Sequence, residues 1–171
     1  KKVDSTKMQL NEEFDYVFSL GVIHHIPKAD LAVKNIYSSL KPNGQFIMWV
    51  YGYENNELYI LFFNNLRKIL SKLPDFIVEF ISYILTLITY PYGFLCKYFK
   101  LPLKQYFLNV FSLFSFKHRM YVVFDQLNPK YSKYYKKNEV VDLLNDAGFE
   151  VDKIFHRDNY SWTAIGIKKS L

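Results

Sequence analysis

The chain has 171 residues, 50% hydrophobic and 19% aromatic, with 22 Lys and Arg against 16 Asp and Glu for a net charge of +6. That apolar fraction excludes a disordered chain, and the length is enough for one domain with a real core. A single cysteine, Cys96, excludes a disulfide framework and a cysteine-built zinc site. The opening Lys1-Lys2-Val3-Asp4 does not read as a signal peptide, and since it lacks Met the sequence is expected to be a piece of something longer. Lys, Asn, Ile, Tyr and Phe are abundant together, as codons rich in A and T produce. With only three arginines (Arg67, Arg119, Arg157), nucleic acid is not the expected partner.

Residues 1–54 alternate between strand and helix patterns. Phe14 to Leu20 is short, aromatic and β-branched, and ends at Gly21: a strand. After Pro27, which suits a first helical turn, Ala29, Ala32, Val33, Ile36, Tyr37 and Leu40 recur at helical spacing. Lys41-Pro42-Asn43-Gly44 predicts a turn, with Gly44 free to take positive φ. Phe46 to Tyr51 is apolar on both faces, as a strand covered on both sides must be. Strand, helix and strand at this spacing make a βαβ unit.

Residues 55–130 change texture. Leu58 to Leu70, Pro74 to Tyr90 and Leu103 to Ser115 read as helices, and strand alternation is absent. Between Phe76 and Cys96 the one charge is Glu79, but Pro91-Tyr92-Gly93 is expected to interrupt that run and leave it short for a bilayer. A transmembrane helix, a buried helical cap, and a cap that also touches membrane or a greasy substrate all remain open. From residue 97 to 137 there are nine basic residues and one acidic residue, Asp125. That is either a solvated basic face or an attraction for acidic substrates or anionic headgroups.

In residues 131–171, Asn138 can cap a helix faced by Val140, Val141, Leu144 and Ala147, ending at Gly148. Glu150 to His156 and Trp162 to Lys168 then form an antiparallel hairpin. The expected fold class is therefore α/β: a mostly parallel sheet with an antiparallel C-terminal hairpin. Residues 1–54 and 131–171 form the core, and residues 55–130 a helical insertion.

Asp15-Tyr16-Val17-Phe18-Ser19-Leu20-Gly21-Val22-Ile23-His24-His25-Ile26, the turn Leu40-Lys41-Pro42-Asn43-Gly44 and the ending Ala147-Gly148-Phe149 together resemble class I S-adenosylmethionine-dependent methyltransferases. Asn43 stands where that family often has a glycine. The resemblance implies a Rossmann-like sheet, S-adenosylmethionine as cofactor, and Ser19, Leu20 and Gly21 against its methionine end. In open α/β sheets ligands do sit beyond the carboxyl ends of strands, and small residues there admit a ligand to the backbone. By the same resemblance Val3-Asp4-Ser5-Thr6 ends the preceding strand, with Asp4 accepting from the adenine amino group and Ser5 beside it. A surface-loop carboxylate is the other reading of Asp4. The family's glycine-rich loop and its acidic ribose-binding residue have no counterpart here. The sequence is thus expected to be the C-terminal part of the domain, with the N-terminal half as its missing partner and weak or no cofactor binding alone.

His24 and His25 are adjacent, so their side chains diverge and joint metal ligation is not expected. One can cap the next helix while the other packs, or one can act as general base at the crevice mouth. Tyr51, at the end of the next strand, either orients a nucleophile or fills the crevice wall. Tyr134, Tyr135, Arg157 and Trp162 are weaker candidates, and Cys96 reads as a small buried hydrophobe. The expected function is methyl transfer to a small-molecule or lipid-like acceptor, hydrophobic or amphipathic, by a cytoplasmic or membrane-peripheral enzyme. The rival is a non-enzymatic membrane-associated or protein-binding module that keeps the sheet without a complete cofactor pocket.

Overall fold

The computed structural model describes residues 4–70, 72–128 and 131–170, and the chain divides into two compact units. The first comprises the residues up to Glu54, Tyr131–Arg157 and those from Ser161 on; the second is the segment from Asn55 to residue 130 together with Asp158–Tyr160.

The first unit holds four strands, β1 (Phe14–Leu20), β2 (Leu40–Tyr51), β3 (Glu150–Arg157) and β4 (Ser161–Ile167), and the helices α1 (Ala29–Ser39) and α6 (Lys137–Asn145). The spatial order is β1-β2-β4-β3. β1 and β2 pair in parallel through the α1 crossover, and β4 runs antiparallel to both β2 and β3. Three strands thus share one direction and β4 alone opposes them. Ile23, Val33, Leu40, Phe46, Met48, Val140 and Leu144 form the buried core where α1 and α6 cover the sheet. Apolar positions at helical spacing on both helices meet the alternate side chains of the strands there.

Among the described residues β1 pairs only with β2 and so forms an edge of the sheet. Its apolar side chains are left in the open: Phe18 is 62% and Leu20 63% exposed. An apolar, unpaired edge of this kind is a template for another strand.

The Lys41–Gly44 segment is not a free-standing turn but a bulge within β2. The register steps from Phe14↔Leu40 to Tyr16↔Gln45, so β2 carries the extra residues. Asn43, not Gly44, takes the positive φ, at 65°. Its N–H donates to the Lys168 carbonyl at 2.7 Å. Gly44 is required for room instead: a Cβ there would stand 2.9 Å from the Lys41 carbonyl oxygen and 3.2 Å from that of Asp15. At the start of α6 the residue in the capping position is Lys136 rather than Asn138, and its N–H is taken by the Glu139 carboxylate at 2.8 Å. Gly148 does end this helix region with positive φ, at 100°, packed against the Tyr37 ring.

The second unit is helical: α2 (Glu57–Leu70), α3 (Asp75–Tyr98), α4 (Lys104–Asn109) and α5 (Phe116–Leu127). Its core gathers Leu70, Val78, Phe111, Val123 and Leu127. α3 continues through Pro91, where the sequence predicted an interruption. Pro91 and Leu87, the residue one turn earlier whose carbonyl loses its partner, both lie on the exposed face, so water can satisfy that oxygen. With 24 residues, α3 is long and apolar enough to cross a membrane by length and composition.

The expected Leu103–Ser115 helix stops at Asn109. The buried Arg119 guanidinium explains why: it donates to the carbonyls of Ser112 at 2.8 Å and Phe114 at 3.1 Å, so that stretch needs no helical partners. The same guanidinium lies over the Tyr90 ring, 4.3 Å from its centre. α5 was not foreseen from the sequence.

Candidate functional site

The carboxyl ends of β1 and β2 lie side by side, with Ser19 opposite Met48 and Leu20 opposite Trp49. Ser19 is buried, whereas Leu20 faces out. Gly21 turns the chain away with φ at +75°, its N–H donating to the Trp49 carbonyl at 3.2 Å. A side chain there is strained by the positive φ, although its Cβ would meet nothing closer than the Trp49 ring at 3.6 Å. The strand end is therefore a small-residue shelf with an indole beside it.

Immediately after the shelf, Ile23–His25 make a 3-10 turn that brings both imidazoles back to the end of β2. His24 is fully buried and stacks on Tyr51, with ring centres 3.8 Å apart and planes at 29°. Trp49 meets the His24 ring edge-on at 5.9 Å, and Tyr134 stacks on the other partner, Tyr51, at 5.4 Å. His25 is half-buried, its ring centre 4.3 Å from that of His24. Its Nδ1 lies 3.1 Å from the Tyr131 carbonyl oxygen. A carbonyl only accepts, so Nδ1 is the donor of this bond, and in the neutral ring the lone pair is then on Nε2. Neither histidine caps α1, whose first turn has no side-chain cap.

The segment before α6 is held to this place by backbone bonds. The Lys133 N–H donates to His24 O at 2.9 Å, Tyr135 N–H to Tyr51 O at 2.8 Å, and Tyr53 N–H to Tyr135 O at 2.9 Å. Glu54 anchors the far side, accepting from the Lys137 N–H at 2.7 Å and the Trp162 indole at 2.9 Å. Burial works to raise the Glu54 pKa, but these two donors, together with its own backbone N–H and the nearby His156, hold the carboxyl below its usual range. His156 stacks on Trp162 at 4.2 Å, and burial lowers its pKa against the opposing pull of the Glu54 charge.

His24, His25 and Tyr51 thus come together, and Ser19, Leu20 and Gly21 form the shelf next to them. Asp4 and Ser5 are different. Asp4 lies in an exposed turn rather than at a strand end, and its Oδ1 accepts from the Thr6 N–H at 2.9 Å and the Thr6 hydroxyl at 2.8 Å. Those bonds lower its pKa. The Ser5 carbonyl accepts from the Asn35 side chain at 2.9 Å, tying the turn to α1. Val3 lies outside the described residues. Trp49 and Glu54 escaped the sequence reading; alternation along β2 places Trp49 two residues before Tyr51, which was a usable signal. Among the described residues no three His, Cys, Asp or Glu side chains gather to hold a metal ion.

Residues 2–48 match the family model described as a methyltransferase domain. The chain is 43% identical over 42 residues to phosphoethanolamine N-methyltransferase 2 of Caenorhabditis elegans, a match covering 25% of this chain and 10% of that protein. Its fold is similar to that of a putative methyltransferase from Bacillus halodurans, with a TM-score of 0.53 and 14% identity, covering 99% of this chain and 71% of the other. It is also similar to human N-acetylserotonin methyltransferase in complex with SAM, with a TM-score of 0.50 and 13% identity, covering 99% of this chain and 33% of the other. The strand order, the shelf after β1 and these likenesses converge on a fold: the described residues form a four-stranded α/β sheet similar to part of the fold of those methyltransferases.

Proposed function

We propose that this chain contributes to S-adenosylmethionine-dependent methyl transfer, supplying the methionine end of the cofactor site and the crevice beside it. The observation that carries this reading is the joint presence, at the carboxyl ends of β1 and β2, of the Ser19–Gly21 shelf and the His24–Tyr51 stack. The residues fit the cofactor in part. The shelf offers a positive-φ glycine whose missing side chain leaves the Trp49 ring as its nearest neighbour, whereas Asp4 spends one carboxylate oxygen on Thr6. Bound there, the cofactor supplies a methyl group already activated by its sulfonium. The protein's work is then alignment, with His25 Nε2 taking a proton from an acceptor OH or NH. The buried His24 acts as a wall that holds Tyr51, not as the base.

β1's open apolar edge is the proposed docking line for a further parallel strand, the partner that completes the cofactor site. Its side chains have the exposure of a surface awaiting cover.

The acceptor is proposed to be hydrophobic or amphipathic and to be met at a membrane surface, the enzyme being cytoplasmic and peripheral. Support comes from α3, which is built inside out. Its inner face carries Val78, Ser82, Thr86 and Cys96, all buried, and the two hydroxyls are satisfied by carbonyls of the same helix. Its outer face carries Phe76, Phe80, Ile84, Leu87, Phe94 and Leu95, all exposed. A helix of a water-facing surface places large apolar residues inward. The unit's nine basic against five acidic residues favour anionic headgroups.

The test is incubation of the protein that carries this chain with methyl-labelled cofactor and anionic liposomes or a lipid extract. Label in the organic phase with co-sedimentation supports both parts. Label only in water-soluble acceptors, without sedimentation, removes the lipid-like acceptor. Sedimentation without any transfer favours the binding-module reading, to which β1's uncovered edge also lends itself.

A further inference from the structure

The helical unit contains a cavity of about 430 Å³ between α2, α3, α4 and α5. Phe111, Val123 and Gln126 are buried and form its inner wall, while Leu58, Phe62 and Ile88 stand at its mouth. Those mouth residues are 74%, 60% and 54% exposed, so the rim is as apolar as the interior. Pockets for polar ligands place a few convergent polar groups among apolar walls. Here the Tyr59, Thr89, Tyr92 and Gln126 side chains are already committed to the protein. The Tyr59 hydroxyl donates to Gln126 Oε1 at 2.9 Å, and the Arg67 guanidinium holds the same oxygen at 3.2 Å. The Tyr92 hydroxyl donates to the Pro102 carbonyl at 2.6 Å, and Thr89 to the carbonyl of Thr86. Burial pushes the Tyr92 phenol up to about 12 and the Tyr106 phenol further still, so the tyrosine wall stays uncharged.

From this geometry we infer that the cavity is a binding site for a single hydrocarbon chain, entering past Leu58 and Phe62 and leaving any polar head outside. A cavity of roughly 150 Å³ lined by apolar side chains stays dry and takes one benzene, so this one has room for roughly 15 carbon atoms. A chain gains from every methylene buried and needs no directional partner, which is what these walls offer. The apolar rim suits a chain drawn from an apolar phase, and the outward-facing large residues of α3 provide that contact beside the mouth. Ile88 belongs to both. The site lies wholly within the helical unit and stands whether or not the protein transfers methyl groups.

Straight-chain alkanols of about 6 to about 16 carbons, each below its aggregation threshold, are the probe, titrated calorimetrically into the full chain. One-to-one binding is expected, with affinity rising about fourfold per methylene and levelling off once the cavity is full. Thr89→Trp and Val122→Trp, each placing an indole in the cavity, are expected to shorten the chain length at which affinity levels off and to weaken the longest alkanol at least tenfold. Leu58→Asp, at an exposed position that leaves the core intact, sets a carboxylate in the mouth and is expected to weaken every member of the series. Affinity that rises without levelling in the unaltered chain, or binding with no saturable stoichiometry, overturns the site. So does an alkanol series that is the same in folded Thr89→Trp and Leu58→Asp as in the unaltered chain. A lysophospholipid and a fatty acid of the plateau length then tell whether a lipid-borne or a free chain is preferred, and tight binding of either supports the site.

Discussion

The His24 imidazole lies flat against the Tyr51 ring, 3.8 Å between centres, with His24 wholly out of solvent. This stack joins the segment after β1 to the end of β2, and Tyr134 extends it from the segment before α6. Tyr51→Ala should therefore cost about 3–5 kcal/mol of stability. Tyr51→Phe, which keeps the ring, should cost about 1 kcal/mol or less. Urea unfolding followed by far-ultraviolet circular dichroism measures both.

His25 makes the opposite pair with His24: half-buried, with Nδ1 fixed by the Tyr131 carbonyl. His25→Ala should lower methyl transfer by the protein roughly a hundredfold or more if Nε2 is the base, with stability changed by about 1 kcal/mol. A loss of stability as large as that of Tyr51→Ala, with transfer otherwise intact, assigns His25 to the scaffold alone.

Much of the sheet unit was legible in the sequence, because β1, α1, β3 and β4 each carry one clear period between clear stops. What was misread lay where a distant group decided a local matter. Glu139 reaches back to the Lys136 N–H and takes the capping role from Asn138. The Lys168 carbonyl holds Asn43 in left-handed backbone, while crowding by Lys41 and Asp15 reserves Gly44 for a glycine. Arg119 captures two carbonyls and breaks the expected helix after Asn109, and Pro91 fails to break α3 because its lost bond faces outward. The start of α5 had a local signal that was passed over: Ser115 precedes it and accepts from the His118 N–H. Of the candidate site, the placement of His24, His25 and Tyr51 around the ends of two strands was legible, because strand ends are where α/β sheets hold ligands. Their stacking was not, because it needs the bridging segment at Tyr134.

The bulge in β2 gives a contrast between neighbours. Gly44→Ala should destabilise by about 1–3 kcal/mol, since its Cβ would press on two backbone carbonyls. Asn43→Gly, at a φ of 65°, should change stability by less than about 1 kcal/mol, whereas Asn43→Val should cost about 1–2 kcal/mol. Thermal unfolding of the three variants side by side decides it.

Acid should loosen the Trp162 corner. Glu54's pKa is lowered in the fold, so its contribution is present above the unfolded carboxylate range and is lost as pH falls through the lowered value. His156 adds in the same direction. Its pKa is also lowered, so protonation below the ordinary imidazole range favours the unfolded chain. Glu54→Gln should flatten the acid limb of stability against pH, read by Trp162 fluorescence, and cost about 1–2 kcal/mol at neutral pH.

The outer face of α3 can be altered without touching the core. Phe80→Asp with Leu87→Asp should leave urea unfolding within about 0.5 kcal/mol while abolishing sedimentation with anionic liposomes. Unchanged sedimentation places the membrane contact elsewhere.

The central claim is that the end of β1 holds the methionine end of the cofactor, and amide chemical shifts during titration with S-adenosylhomocysteine test it most directly. The expected result is saturable shifts confined to Ser19, Leu20, Gly21 and the adjoining His24 and His25, weak, at about millimolar affinity in this chain alone, and absent in Gly21→Val. Shifts confined to other residues, or none at the end of β1 at saturating ligand, contradict it.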